Sequence, residues 1–523
     1  MTTHGVVAAG DPQTAEAGAS VLAQGGNAID AAVAAAFAAF VCEMPLCSPL
    51  GGGVLLADLD GGARAVDMFA RAPGLGTAPR RLDAIDFHGV EVSFGAATQI
   101  FHVGRGSAAV PLALPGLLDV HRRWGSLPLA DVLAPAVKLG RDGYVLGPGV
   151  AYVFSILEPI ARLSAECLAL YRDGDALAKA GARLDNRDLA RTLEDLGRNP
   201  AHVRDLFAAL ADEHGPARGG LVTAEDVEAA AVADIEPVRV RYAGWDLATM
   251  PGPSTGGVLV ALGMRLLEGI SSTRSLSREH LLGVAKVQET LLAQRDEHFD
   301  ARCRDPRWVR DLLDEERIAA LRAETRAAAI AAENRLGSTT HISVLDDRGA
   351  AAALTLTNGE GCGHVLSGTG MVVNNLLGEH DLHPRGFHLD APGSALATMM
   401  APTLLRRDGD RIALGSGGSN RLRNAIMQVL VGIVEHGVSP EAAVSAPRLQ
   451  LEMDRAKGRP HLAFESTGLA ADVVDALAAT YPDAPAIFTA PNLYFGGVHV
   501  ALRTGGRFGG VGDPRRGGAA VVR

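Results

Sequence analysis
The pair Ser338-Thr339 stands at a junction between two unlike stretches of chain. Residues 311–334 are rich in Ala, Glu and Arg and read as a solvated helix, followed by the short linker Arg335-Leu336-Gly337-Ser338. After it, Thr339-Thr340-His341-Ile342-Ser343-Val344-Leu345 alternates as a strand. A threonine that begins a buried strand behind a small-residue linker can carry out a particular chemistry. Its hydroxyl attacks the preceding carbonyl, here that of Ser338, and an N→O shift gives an ester that water hydrolyses. The α-amine set free on Thr339, with an intrinsic pKa of ~8, then serves as general base for its own hydroxyl. The Thr-Thr-His triplet alone is ordinary strand sequence, and Thr2-Thr3-His4 repeats it. The helix–linker–strand setting distinguishes Thr339.

The flanking pattern supplies the elements that must position this residue. Asp346-Asp347-Arg348-Gly349 predicts a hairpin turn and 350–357 a returning strand ending at Thr357. Strands are also predicted at 403–406 and 411–414 around Asp408-Gly409, the second running into Gly415-Ser416-Gly417-Gly418-Ser419. Near the N-terminus, residues 12–24 have helical spacing and stop at Gly25-Gly26, and Asn27 can cap the next helix, 28 to about 41. That second helix is apolar nearly all round, as a helix between layers must be. Leu50-Gly51-Gly52-Gly53 reads as a tight turn entering a buried strand. Residues 111–145 predict a helix with Pro and Gly punctuation, 185–232 charged helical sequence, and 236–250 a short strand before a turn at 251–257 and a long helix.

With 523 residues the chain makes two or three domains or one large multi-layer sandwich. Its formal charge of −11 leaves no basic surplus for phosphates, which argues against a nucleic-acid partner. The cysteines, Cys42, Cys47, Cys167, Cys303 and Cys362, are odd in number and irregular in spacing, as in a reduced cytoplasmic protein. The first residues lack a basic segment followed by an apolar one, and the run 31–41 is too short to cross a bilayer. The expectation is therefore no membrane partner.

Ordered motifs run along nearly the whole chain: Gly25-Gly26-Asn27-Ala28-Ile29-Asp30-Ala31-Ala32, Gly51-Gly52-Gly53, Pro115-Gly116, Asp142-Gly143, Pro253-Ser254-Thr255-Gly256-Gly257, Asp305-Pro306, the Thr339 strand, Asn374-Asn375, Met400-Ala401-Pro402-Thr403, Gly415–Ser419 and Asp513-Pro514-Arg515-Arg516-Gly517-Gly518-Ala519. In these the sequence resembles the γ-glutamyltranspeptidase family of N-terminal nucleophile hydrolases. The resemblance implies an α+β fold, a four-layer αββα sandwich. It also implies cleavage into chains 1–338 and 339–523 that remain together as a heterodimer. Thr339 would be the nucleophile, Thr357 would orient it, and the backbone N–H groups of Gly417 and Gly418 would form an oxyanion hole, with Ser419 beside them. A small-molecule substrate is implied, and no cofactor or metal.

The substrate pocket departs from the family. Phe69 stands where the family's Arg grips a substrate carboxylate, with Arg71 two residues along as a substitute on the same strand face. The paired serines become Thr398 and Met399, the Gln after Asn374-Asn375 becomes Leu376, and the Asp becomes Glu379. The loop Asn358-Gly359-Glu360-Gly361-Cys362-Gly363 is shorter by about two residues. Losing a bidentate Arg–carboxylate contact costs roughly 2–5 kcal/mol when the carboxylate stays buried. The expectation is an intact acyl-transfer apparatus with a rebuilt substrate handle, acting on a γ-glutamyl-like or other small amide. The alternatives are a carbon–carbon-cleaving, oxalate-releasing homologue of actinobacterial antibiotic biosynthesis, and an inactive scaffold.

Two further patterns compete. Gly252-Pro253-Ser254-Thr255-Gly256 is a literal G-x-S-x-G, which would make Ser254 a hydrolase nucleophile, though no HGGG-type partner accompanies it. His380, His383 and His388 with Asp381 and Asp390 form a stretch without zinc spacing, read as a solvated loop.

Overall fold
The computed structural model describes residues 4–523 except 60–61, 79–81, 94–97, 270–273, 297, 324–337, 384, 455–458 and 482. The expected linker residues 335–337 and the later part of the expected helix, 324–334, lie outside the described residues. Before the 338/339 junction the layers are built from β1 (Gly5–Ala9), α1 (Pro12–Ala23), α2 (Ala28–Cys42), β2 (Gly52–Leu59), β3 (Gly62–Met68), β4 (Ala233–Ile235), β5 (Val238–Tyr242), β6 (Trp245–Thr249), α3 (Thr255–Leu267) and α4 (Arg278–Gln294). After it come β7 (Thr340–Asp346), β8 (Ala351–Thr357), β9 (Thr403–Arg407), β10 (Asp410–Gly417), α5 (Leu422–Val434), β11 (Gly497–Thr504), β12 (Arg507–Val511) and β13 (Ala519–Val522).

The two large sheets among the described residues run β4-β3-β2-β8-β7-β1-β13 and β5-β6-β9-β10-β11-β12. Three apolar cores separate four layers. The first joins α2, through residues such as Ile29 and Phe37, to Ile342 and Val344 of β7. The second joins α3 and α5, through Val258, Leu262 and Ile426, to Leu414 and Val500. The third lies between the sheets and holds Val54, Leu56, Leu345, Ala353, Ala413 and Ala501. Small side chains there let the sheets approach closely. This is the αββα sandwich expected from the resemblance.

Period-two alternation decides which side chains meet. In β7, Ile342 and Val344 face the helices, which leaves His341, Ser343 and Leu345 to the facing sheet. In β10, Ile412 and Leu414 face the helices, so Gly415 and Gly417 face β7. A Cβ on Gly415 would lie 2.3 Å from the His341 ring, which explains a glycine there.

Local signals placed most elements. Asn27 forms a capping box with Asp30 at the start of α2, whose 15 residues are all buried. The single strand expected over 236–250 is instead the hairpin β5–β6. Its turn residues, Ala243 and Gly244, both have positive φ (46° and 81°). Alanine is not a usual turn signal at such a position, so the hairpin was hidden. The expected helix over 111–145 is two helices, Ala113–Trp124 and Leu129–Asp142. All five cysteines are free and buried.

Candidate active site
Ser338 and Thr339 are only 8% and 5% exposed, although they precede a strand at the edge of a linker. Ser338 is gripped on both sides. Its N–H donates to Glu360 Oε1 at 3.3 Å, and its carbonyl oxygen accepts from the Thr357 hydroxyl. Thr357 reaches it because β7 and β8 pair with Thr340 opposite Leu356, which sets the end of β8 beside the start of β7. The resemblance implies that Thr357 orients Thr339; in the continuous chain its hydroxyl addresses the carbonyl of the residue before Thr339.

The facing sheet closes the other side. A Cβ on Gly417 would lie 2.2 Å from the Thr339 carbonyl oxygen, so only glycine allows this approach. Gly418, at φ 125°, turns the chain out of β10. Ser419 follows at φ 52°, and its hydroxyl donates to Asp381 Oδ2 at 2.5 Å. Arg516 Nη1 donates to the Thr339 carbonyl oxygen at 3.3 Å. Thr340 donates to Glu43 Oε2 at 2.6 Å, and Thr14 to Glu43 Oε1 at 2.8 Å. Burial, then the charge of Asp11, pushes the Glu43 carboxyl up to about 7. His341 is a neutral bridge between the Thr355 and Ser343 hydroxyls at 2.8 and 2.9 Å; burial holds its pKa far below the usual imidazole value.

Beside Ser338 lies a floor of acceptor atoms. Asn375 Oδ1 accepts from the Glu360 N–H at 2.8 Å, and Asn375 Nδ2 donates to the His102 carbonyl. Glu360 Oε2, Glu379 Oε1 and Asn358 Oδ1 are buried without a hydrogen-bond partner among the described residues. Burial, then the neighbouring Glu379 carboxylate, holds Glu360 well above the usual carboxylate range. Burial and the charge of Asp381 push Glu379 up to about 8. Such a pair retains a proton at neutral pH until a cation or donor replaces it.

Other expected pocket residues make their contacts elsewhere. Arg71 is paired with Asp67 at 2.9 Å and donates to the carbonyls of Ala70 and Ala231, so its donors are taken up within the fold. Phe69 is fully buried over Gly52 and shares the inter-sheet core with Leu376. Thr398 accepts from the Met400 N–H at 3.2 Å, and Met399 packs on the helix side of the second sheet with its sulfur 3.2 Å from the Thr255 hydroxyl. Ser254 is the N-cap of α3, accepting from the Gly257 N–H at 3.3 Å and donating to the Met400 carbonyl. The His stretch is not a simple solvated loop. His383 is buried, pairs with Asp390 at 3.0 Å, and has Phe387 beside it; Pro384 lies outside the described residues. No group of three His, Cys, Asp or Glu arranged to hold a metal occurs among the described residues. No helix among them is long and apolar enough to cross a membrane.

Glu43, Glu360 and Arg516 were not singled out as site residues from sequence. Glu43 carried one signal, a lone acid closing a helix of buried apolar residues.

A family profile described as Gamma-glutamyltranspeptidase matches residues 14–523. The chain belongs to that family. It is 33% identical over 470 residues to the Acylase ACY 1 proenzyme of Pseudomonas sp. (strain V22), covering 86% of this chain and 83% of that one. It is 28% identical over 487 residues to the Glutathione hydrolase proenzyme of Bacillus subtilis (strain 168), covering 85% and 80%. A cephalosporin acylase structure from Bacillus halodurans superposes with a TM-score of 0.80 at 22% identity, over 99% of this chain and 96% of that one. Membership in the γ-glutamyltranspeptidase family makes the chain an enzyme of hydrolase or transferase type, and the precursor names of its relatives fit processing into two chains.

Proposed function
We propose that this γ-glutamyltranspeptidase-family member cleaves itself at Ser338–Thr339 and then acts as a threonine amidase or acyltransferase. The observation that carries the reading is the Thr357 hydroxyl hydrogen-bonded to the Ser338 carbonyl oxygen, at the start of the buried strand. As the Thr339 hydroxyl attacks, negative charge develops on that oxygen, and a positioned donor there lowers the barrier. The ester formed is hydrolysed, and chains 1–338 and 339–523 stay together. Each sheet supports this, because β7, β8 and β13 share one sheet with β1, β2, β3 and β4, with β8 paired to β2 and β7 and β13 paired to β1, and β5 and β6 extend the sheet of β9 to β12. In turnover, the α-amine of Thr339 takes the proton of its hydroxyl, an acyl-enzyme forms with release of the amine product, and water or a second amine accepts the acyl group.

The acyl group is read from the acceptor floor. Glu360, Glu379 and Asn358 offer oxygens and no cation, while Arg71 is held by Asp67. This favours an amide whose acyl part carries an ammonium or another strong donor, without a dedicated carboxylate clamp. The name of the ACY 1 relatives, acylase, agrees with amide cleavage.

Intact mass of the purified protein beside Thr339→Ala tests the first half. Fragments of roughly 35 and 19 kDa from the 54.2 kDa chain are expected for the wild type alone, with Thr at the new N-terminus. A wild type that stays whole under all conditions would favour an inactive scaffold. A panel of anilides tests the second half: amine-bearing acyl groups should outrun glutaryl, which carries only a carboxylate. Equal turnover of the two would remove the acceptor-floor argument, and oxalate release from a pyrroline-type diene acid would replace the amide reading.

A further inference from the structure
Arg516 is half-buried at the edge of the site and touches the residue that leads into the nucleophile strand. Its Nη1 donates to the Thr339 carbonyl oxygen at 3.3 Å. The same guanidinium lies against the turn that closes the facing strand: a Cβ on Gly417 would sit 3.2 Å from Nη1, and one on Gly418 3.4 Å from Nη2. Its aliphatic stem fills the space left by Gly497, where a Cβ would lie 2.4 Å from Cδ. Gly497 pairs with Gly417 across β10 and β11. The glycines at these positions therefore accommodate one side chain. Arg516 Nε has no hydrogen-bond partner among the described residues.

We propose that Arg516 is a positioning residue for the nucleophile, holding Thr339 by its carbonyl at the Gly417–Gly418 turn and, once the chain is cut, placing a fixed positive charge beside the new α-amine. This rests on Thr339 being the nucleophile. The amine nitrogen is one Cα away from the carbonyl that Arg516 holds, so the two cations are a few ångströms apart. Like charge disfavours the ammonium and keeps the amine in the basic form that must accept the hydroxyl proton. Arg516 remains charged at neutral pH, its pKa lowered by burial only to about 10. The other charged and titratable groups facing this point are Glu360, Glu379 and Asp381 on the Ser338 side, Glu43 and Asp11 beneath Thr340, Arg421 and Asp513 beside Arg516, and the buried imidazole of His499, which burial holds down at about 4. The carboxyls raise the amine's pKa when ionised, and Arg516 opposes them from its hydrogen bond to the same residue.

The test compares the full-length protein with Arg516→Gln and Arg516→Lys. Cleavage at 338/339 is followed by intact mass, and the pKa of the Thr339 α-amine by the pH dependence of its acetylation, read by mass spectrometry without any substrate. Removing the charge is expected to raise that pKa by about one unit, while lysine leaves it near the wild-type value. Arg516→Gln that melts like the wild type yet stays uncut, with Arg516→Lys cut, also supports the role. An unchanged amine pKa in cut Arg516→Gln overturns it. So does a lysine variant as damaged as the glutamine one, which would leave shape, not charge, as the function. If the wild type itself is not cut at Thr339, the nucleophile reading fails and the role of Arg516 falls with it, an outcome distinct from a cut wild type whose variants share its amine pKa.

Discussion
The hydroxyl of Thr357 is hydrogen-bonded to the carbonyl oxygen of Ser338, two residues 19 apart in sequence at the ends of neighbouring strands. Removing the hydroxyl while keeping the packing tests what it does. Thr357→Ala is expected to slow self-cleavage by about 10²–10³-fold, the usual cost of one donor to a developing oxyanion, and Thr357→Ser to slow it far less. A time course of the uncut fraction after synthesis reads both; equal rates for Thr357→Ala and wild type would dismiss the role.

Gly417 admits the Thr339 carbonyl where any side chain would collide. Gly417→Ala places a Cβ 2.2 Å from that oxygen, and the strands must part to relieve it. A loss of about 1–3 kcal/mol in stability is expected, with cleavage abolished or strongly slowed. Gly409→Ala is the control, because a Cβ there meets nothing within 4 Å, and it should cleave and melt like the wild type.

Glu43 predicts a pH dependence of stability. Its folded pKa of about 7 lies above the ordinary glutamate value of 4.5, so between those two values the folded protein binds a proton that the unfolded chain has released. Stability is therefore highest below about pH 4.5, as far as this group is concerned, and falls as pH rises toward 7. Glu379, raised to about 8, acts in the same direction. Glu43→Gln keeps acceptor and donor atoms for Thr14 and Thr340 but cannot ionise. Its melting temperature is expected to fall less than that of the wild type between pH 5 and 8, by scanning calorimetry; parallel curves would show that Glu43 does not titrate there.

Arg71 separates substrate binding from structure. Arg71→Ala leaves Asp67 buried and unpaired, and the expected cost is about 3–5 kcal/mol in stability. KM for a γ-glutamyl anilide should change little in whatever protein remains folded. A large rise in KM with an unchanged melting temperature would return Arg71 to the substrate pocket.

Ser254→Ala addresses the competing nucleophile. Loss of the α3 N-cap should lower stability by about 1 kcal/mol. Self-cleavage and turnover should persist, since the Ser254 hydroxyl is spent on the helix end and the Met400 carbonyl. Loss of turnover with intact cleavage would revive the G-x-S-x-G reading.

The sequence alone was sufficient for features written in local order. The strand after Thr339, the Asp346–Gly349 hairpin, the Asn27 cap and the nearly all-apolar α2 are set by neighbours within a few residues, where propensity, capping and periodicity act. Family motifs added the four layers. The resemblance already set Thr357 and Gly417 beside Thr339; only the tertiary structure brought Glu43, Glu360 and Arg516 there. Glu43, Thr357, Glu360, Gly417 and Arg516 come from separate elements, and their meeting depends on register and on the face each strand turns to its partner sheet. Arg71 is the counterexample. Strand spacing allowed it into the pocket, but a buried carboxylate four residues earlier captured it, because that carboxylate would be costly to leave unpaired.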